Sequence, residues 1–291
     1  MVSTVAEYKD RLVALNYELR ACQEKEEKLL FKEDPFWKKA ASQHTGALRA
    51  KIEEKIPEKL EETLNAAFNA AFKMVFQEGR TLIRKTYDAD ALKSEYAGKR
   101  AAAQVSGDRS LISRLRQPSE KRHLKTMGVA SAEGVGLGLL GIGLPDIPIL
   151  IGNMIRTCTV SAQSHGLDTA RVDEQIYMLR LIRLAVLPQT ERRQAKRALD
   201  VLGEQIDAGA EISCDLETEM QQTSEQLSMT LLFSRFVMGL PVVGVAGGLY
   251  NPVIVNQLHQ LAEVKYEARM LMRIKADLVR QHHKDKGDRI E

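Results

Sequence analysis

The sequence predicts an all-α fold, a single helical bundle in which two glycine-rich apolar helical hairpins pack in the core. Three observations predict it. Apolar residues recur at three- and four-residue steps over most of the chain. No alternating strand pattern and no Asn-Gly hairpin signal interrupts them. Two segments, Gly134–Pro148 and Phe236–Ala262, crowd glycine and proline into otherwise apolar surroundings. Glycine inside a helix costs roughly 1 kcal/mol against alanine, so such crowding implies backbones that approach something closely.

The elements follow in order. Leu12, Leu15, Leu19, Cys22, Leu29 and Leu30 form an amphipathic stripe that Asp34-Pro35 ends. From Pro57, Leu60, Leu64, Phe68, Phe72 and Phe76 recur every fourth residue up to Gly79, an aromatic stripe that belongs to a core rather than to a cofactor. An Ala- and charge-rich helix is expected from Tyr87 to Ser106, then a short one from Ser106-Gly107-Asp108 to Gln117-Pro118. After Pro148 a helix runs from Ile149 to Ser164, and His165-Gly166-Leu167-Asp168 reads as its stop and as the cap of the next, which ends at Leu187-Pro188. Further helices cover Gln189 to Glu204, about Glu211 to Val237, and the region from Glu263 on. Residues 1–35 are expected as an N-terminal helix, 36–280 as the main helical domain, and 281–291 as a polar, frayed tail that holds His282 and His283.

Composition narrows function by exclusion. The 291 residues carry 42 Lys and Arg against 39 Asp and Glu, a formal +3, too balanced for a dedicated nucleic-acid binder. Cys22, Cys158 and Cys214 are odd in number and scattered, which suits buried thiols in a reducing compartment and makes the cytoplasm the expected location. Gly136-Leu-Gly-Leu-Leu-Gly141 spells the dinucleotide fingerprint, but neither a preceding strand nor a βαβ unit accompanies it. The phosphate-loop, G-x-S-x-G and H-E-x-x-H patterns do not occur. No cofactor, metal or catalytic set is expected, and His165 beside Cys158 and Asp168 is explained by hydrogen bonding at a helix end.

Phe236–Ala262 contains no Asp, Glu, Lys or Arg and is nominally long enough to cross a bilayer. Pro241, Pro252, Asn251, Asn256, Gln257, His259 and Gln260 would strand polar groups in hydrocarbon, so a buried core suits it better, with shallow or re-entrant insertion as the alternative. Gly134-x-x-x-Gly138 and Gly244-x-x-x-Gly248 are small-x-x-x-small patterns that let helices touch. Arg109, Arg114, Arg116, Lys121, Arg122 and Lys125 precede the first segment, and Arg269, Arg273, Lys275 and Arg280 follow the second. They suit either a solvated face or anionic lipid headgroups. Pro145 and Pro148 place Asp146 in a turn, where it caps the following helix or pairs with Arg156 or Asn251 in a polar site.

Gly141-x-Gly143-Leu144-Pro145-Asp146-Ile147-Pro148, then Arg156, then His165-Gly166-x-Asp168, together with Leu240-Pro-Val-Val-Gly-Val-Ala-Gly-Gly-Leu-Tyr-Asn251, resemble the signature of the EcsC family. The resemblance extends from about Ala40 to Leu278. Leu167, where the family commonly has an aromatic residue, and Pro252 depart from it. It implies a mainly bacterial, helical protein of a family named after a protein encoded beside the components of an ABC transporter, and it supplies no catalytic residues. The pattern residues it transfers are Pro145, Asp146, Pro148, Arg156, Gly166, Asp168, Pro241, Gly244, Gly247 and Asn251; Gly141, Gly143 and Gly248 complete the structural motif, and Asp146, Arg156, His165, Asp168 and Asn251 are the candidate ligand-binding residues. The expectation is a non-enzymatic accessory factor at the inner face of the membrane, its partner an anionic membrane surface or a membrane transporter complex. The alternative is a lipid or small-ligand binder, or an enzyme, with a polar site around Asp146, Arg156 and His165.

Overall fold

The computed structural model describes residues 5–31, 58–77, 79–105, 146–238 and 247–287. All regular structure among the described residues is helical: α1 Val5–Phe31, α2 Glu58–Gln77, α3 Gly79–Lys85, α4 Ala89–Val105, α5 Asp146–Ser164, α6 Val172–Val186, α7 Gln189–Asp207, α8 Leu216–Met238 and α9 Gly247–Gly287. The all-α expectation therefore holds. Gly141, Gly143, Pro145, Pro241 and Gly244, the short helix expected after Ser106, and the glycine-rich stretches of the hairpins at 134–145 and 239–246 lie outside the described residues.

Periodicity becomes packing most directly in α2. Leu64, Phe68, Phe72 and Phe76 are all buried, with Ala67, Ala71 and Val75 between them. Complete burial of each large side chain stabilises by about 1.5–3 kcal/mol. This face packs into the main core with Ile151, Met154 and Ile155 of α5, Leu179 and Leu181 of α6, and Leu258 and Leu261 of α9. Leu15 and Cys22 of α1, Ala103 of α4, and Leu271 and Ile274 of α9 form a second cluster. At 41 residues, α9 is roughly 60 Å long and joins both cores.

Side-chain pairs fix the helix directions. Ser161 meets Glu263, and Gly166, just beyond α5, meets Arg273, so α5 and α9 run parallel. Glu174 meets Arg269 while Tyr177 meets Tyr266, which makes α6 antiparallel to α9. Arg180 bonds Glu219 and Arg183 bonds Gln222, which lays α8 alongside α6 in the same sense. The beginnings of α5 and α9 and the end of α8 consequently share one end of the bundle, about 22 Å from the Ser161–Glu263 contact at 1.5 Å per residue.

Several local readings are corrected. Asp168 does not cap α6. It accepts the Ala170 N–H at 2.9 Å, and Arg171 occupies the N-cap position without a side-chain capping bond. The polar end at 281 is not frayed: α9 continues to Gly287, and His282 stacks on Tyr8 at 3.8 Å between ring centroids. Cys22 and Cys158 are buried, as expected of inert thiols, but Cys214 is half-buried and lies 2.9 Å from the Arg180 guanidinium. Gly247 and Gly248 form the first turn of α9, and Pro252 lies within that helix rather than breaking it.

Buried charge is what periodicity did not foresee. Lys265 of α9, 3% exposed, pairs with Glu26 of α1 at 2.5 Å and with Asp200 of α7. Arg192 of α7, 1% exposed, donates to the carbonyls of Leu187 at 2.8 Å and Leu30 at 2.6 Å. One guanidinium thereby satisfies orphan carbonyls at the ends of α1 and α6.

Candidate functional site

The sequence motif around His165 folds into the turn that joins α5 to α6. Gly166 takes φ +75°, and the Leu167 N–H bonds the Ala162 carbonyl at 3.0 Å, which closes α5 with a left-handed terminator. A Cβ on Gly166 would collide with the Tyr96 ring of α4. Gly166→Ala should therefore lower stability by about 1–2 kcal/mol from the backbone alone, and more from the ring. Urea denaturation with and without Tyr96→Ala separates the two contributions, and an unchanged midpoint refutes the requirement for glycine.

His165 is 2% exposed. Its Nδ1 lies 2.7 Å from the Ser161 carbonyl and its Nε2 3.1 Å from Lys99 Nζ of α4. A carbonyl only accepts and an ammonium only donates, so the ring is the neutral Nδ1–H tautomer. Burial, reinforced by the Lys99 charge, lowers its pKa to about 4. Lys99 also pairs with Glu95 at 3.1 Å, and the Ser161 hydroxyl bonds Glu263 at 2.6 Å. Burial opposes ionisation of Glu263, but nearby positive charge and the Ser161 hydroxyl outweigh it and lower its pKa. The result is a polar knot of α4, α5 and α9 in which the histidine is a fixed acceptor. With its proton lost near pH 4 and its ring covered, it is a poor general base at neutral pH.

The other expected site residues do not converge on His165. Arg156 donates through Nε to Thr86 Oγ1 at 2.6 Å and through Nη2 to the Thr86 carbonyl at 2.7 Å, tying α5 to the turn before α4. Asp146 opens α5, about 15 Å along the axis from Arg156. Asp146 and Asn251 do share the end of the bundle where α5 and α9 begin. Pro148 lies in the first turn of α5, a position that tolerates proline. Asp168 is exposed in the turn. Cys158 is buried and its thiol pKa is raised by burial, which disfavours the thiolate a nucleophile needs. Among the described residues no group of three or more His, Cys, Asp or Glu side chains is arranged to hold a metal ion.

Sequence reasoning missed Lys99, Glu263, Ser161 and Thr86. Arg269 had counted as a cation available to solvent or lipid. Arg269 is in fact 2% exposed and bound to Glu174 and Asp207. Arg273 donates to the Gly166 carbonyl at 3.3 Å and Arg280 pairs with Asp277 at 2.7 Å, so this group is not a free basic surface.

These features define an all-α protein in which, among the described pattern residues, Arg156 and Gly166 hold the turns between helices. The chain belongs to the EcsC protein family, whose model matches residues 16–271. It is similar to Protein EcsC of Bacillus subtilis (strain 168), at 25% identity over 163 residues that cover 55% of this chain and 65% of that relative. The match thus spans a little under two thirds of the relative's length. No solved structure matches the chain.

Proposed function

We propose that the protein is a non-enzymatic accessory factor that works at the cytoplasmic face of the membrane, lying on the bilayer or on a membrane transporter complex. The observation that carries this reading is that the helix ends to which both glycine-rich segments attach share one end of the bundle. The first leads into α5 at Asp146, and the second connects the end of α8 to the start of α9. At that end Ile149 and Val253, on parallel helices and at similar height, are 44% and 46% exposed. Apolar side chains presented on the same end as two uncharged stretches suit contact with the interfacial region of a lipid layer. Among the described residues no helix is long and apolar enough to cross a membrane, which accords with lying on rather than through it. The neutral, enclosed His165 and the protonated Cys158 support a role without catalysis.

Sedimentation with vesicles tests this. The protein should pellet with phosphatidylglycerol-containing vesicles, less with pure phosphatidylcholine, and less again as salt rises. Ile149→Asp with Val253→Asp should cut the bound fraction several-fold while circular dichroism stays unchanged. A protein that stays in the supernatant with every vesicle at every salt overturns the membrane reading.

A further inference from the structure

Gly166 and Asp168, pattern residues that the membrane reading leaves unused, border a cleft of about 710 Å³ between the α3–α4 turn and the α5–α6 turn. We propose that this cleft binds a single-chain amphiphile with an anionic head group. Its size falls within the roughly 300–1,000 Å³ of small-molecule sites. Its inner wall is apolar, with Phe76, Ile155, Leu167 and Met178 meeting there from α2, α5, the turn and α6. Its mouth is cationic, lined by Arg84 and Lys93.

The charge there is short of counter-ions. Among the described residues Arg84 has no carboxylate partner, and Lys93 has only the exposed Asp90 at 3.6 Å, a pair of little strength. Arg156, outside the lining, fixes the rim in place: it holds Thr86, which lies between Arg84 and Tyr87 of the lining, through two hydrogen bonds. Asp168, the acid in the lining, is turned to the Ala170 N–H at 2.9 Å. Midway down, Gln163 donates Nε2 to Tyr87 Oη at 3.0 Å and Thr169 Oγ1 at 3.3 Å, holding the two walls apart at a fixed width. Apolar depth, a cationic rim and pinned walls together match an acyl chain carrying one negative end.

Along α5 the lining runs from Ile155, about 14 Å from Asp146, to Gln163, about 25 Å from it, so the cleft is distinct from the end assigned to lipid contact and stands or falls separately from the membrane reading. Isothermal titration with dodecanoate and with dodecyl phosphate, both below their micelle concentrations, tests it against dodecyltrimethylammonium. At least one anion should bind tenfold or more tightly than the cation, and the stronger anion identifies a carboxylate or phosphate head. Arg84→Glu should weaken the anion at least tenfold, and Ala170→Trp should block it. Both positions are exposed, so the fold should survive, as circular dichroism would verify. Hydrogen exchange should slow in residues 81–96 and 163–172 on binding. Equal binding of anion and cation, no binding, affinity indifferent to Arg84→Glu, or protection elsewhere each overturns the proposal.

Discussion

Replacing Arg269 by methionine should destabilise the protein by about 3–5 kcal/mol, because it strands two carboxylates around the one cation that holds them in the interior. Arg269 donates through Nη1 and Nη2 to the two oxygens of Glu174, at 2.8 and 2.7 Å, and through Nε and Nη2 to Asp207, at 3.0 and 2.8 Å. Its guanidinium carbon lies 4.4 Å from the centre of the Tyr177 ring. Burial works against the charge, and the Asp207 and Glu174 bonds overcome it, holding the pKa above the ordinary arginine value. Gly203 of α7 makes room: a Cβ there would lie 3.1 Å from the Tyr177 ring and 3.3 Å from Arg269 Cδ. Adding Glu174→Gln and Asp207→Asn to the methionine variant should recover much of the loss, since the penalty belongs to unpaired charge rather than to missing volume. Denaturant titration of the wild type, the methionine variant and the triple variant decides it. A single-variant loss under about 1 kcal/mol would show that the network is incidental.

Acid should produce the second large effect. His165 has a folded-state pKa lowered to about 4 from 6.5 by burial and by Lys99, so the unfolded chain takes up a proton that the folded chain refuses between those values. Stability is then full above about pH 6.5 and falls as the pH drops toward 4, by on the order of 3 kcal/mol from this group. The groups facing the ring are Glu95 and Lys99 of α4, Ser161 and Ser164 of α5, and Glu263 of α9. Glu263, whose own pKa is lowered, adds a loss of the same sign at the acid end. Urea midpoints at pH 7, 5.5 and 4.5 should fall steadily, and His165→Gln should flatten the upper part of the slope. An imidazole resonance for His165 that titrates near pH 6.5 in the folded protein would refute the account.

The parts that sequence revealed and the parts it hid differ in a physical way. The faces of α1 and α2 were legible because their burial depends on each residue's own apolarity repeating at the helix period. The left-handed stop at Gly166 was legible because glycine in such a turn has few other uses. Buried charge was hidden because its partner lies far away in the chain: Glu26 needs Lys265, and Arg192 needs the Leu30 carbonyl. A trace existed, since Glu18, Cys22, Glu26 and Leu30 share one face of α1, and Arg192 falls in phase with Leu199, Leu202 and Ile206 on α7. A charged residue at the phase of an apolar stripe marks a pair inside the protein more often than a break in the pattern. Asp168 was misplaced for a related reason: a short acceptor near a helix start reads as its cap, while the turn here spends it two residues on, at Ala170. The cleft was not legible, because Arg84 and Tyr87 meet Gln163 only where the α3–α4 turn packs against α5.

The antiparallel clasp of α1 on α9, from Glu26–Lys265 to Tyr8–His282, sets the order in which the molecule can be assembled. A growing chain carries the Leu15–Cys22–Leu30 face of α1 without its mate until nearly all the rest has been made, so closing that loop is a late event in biogenesis. Cleaving within the second half of α9 would leave that oily face bare, and the protein would then be marked by clumping and by recruitment of holding chaperones before any ligand or lipid came into play.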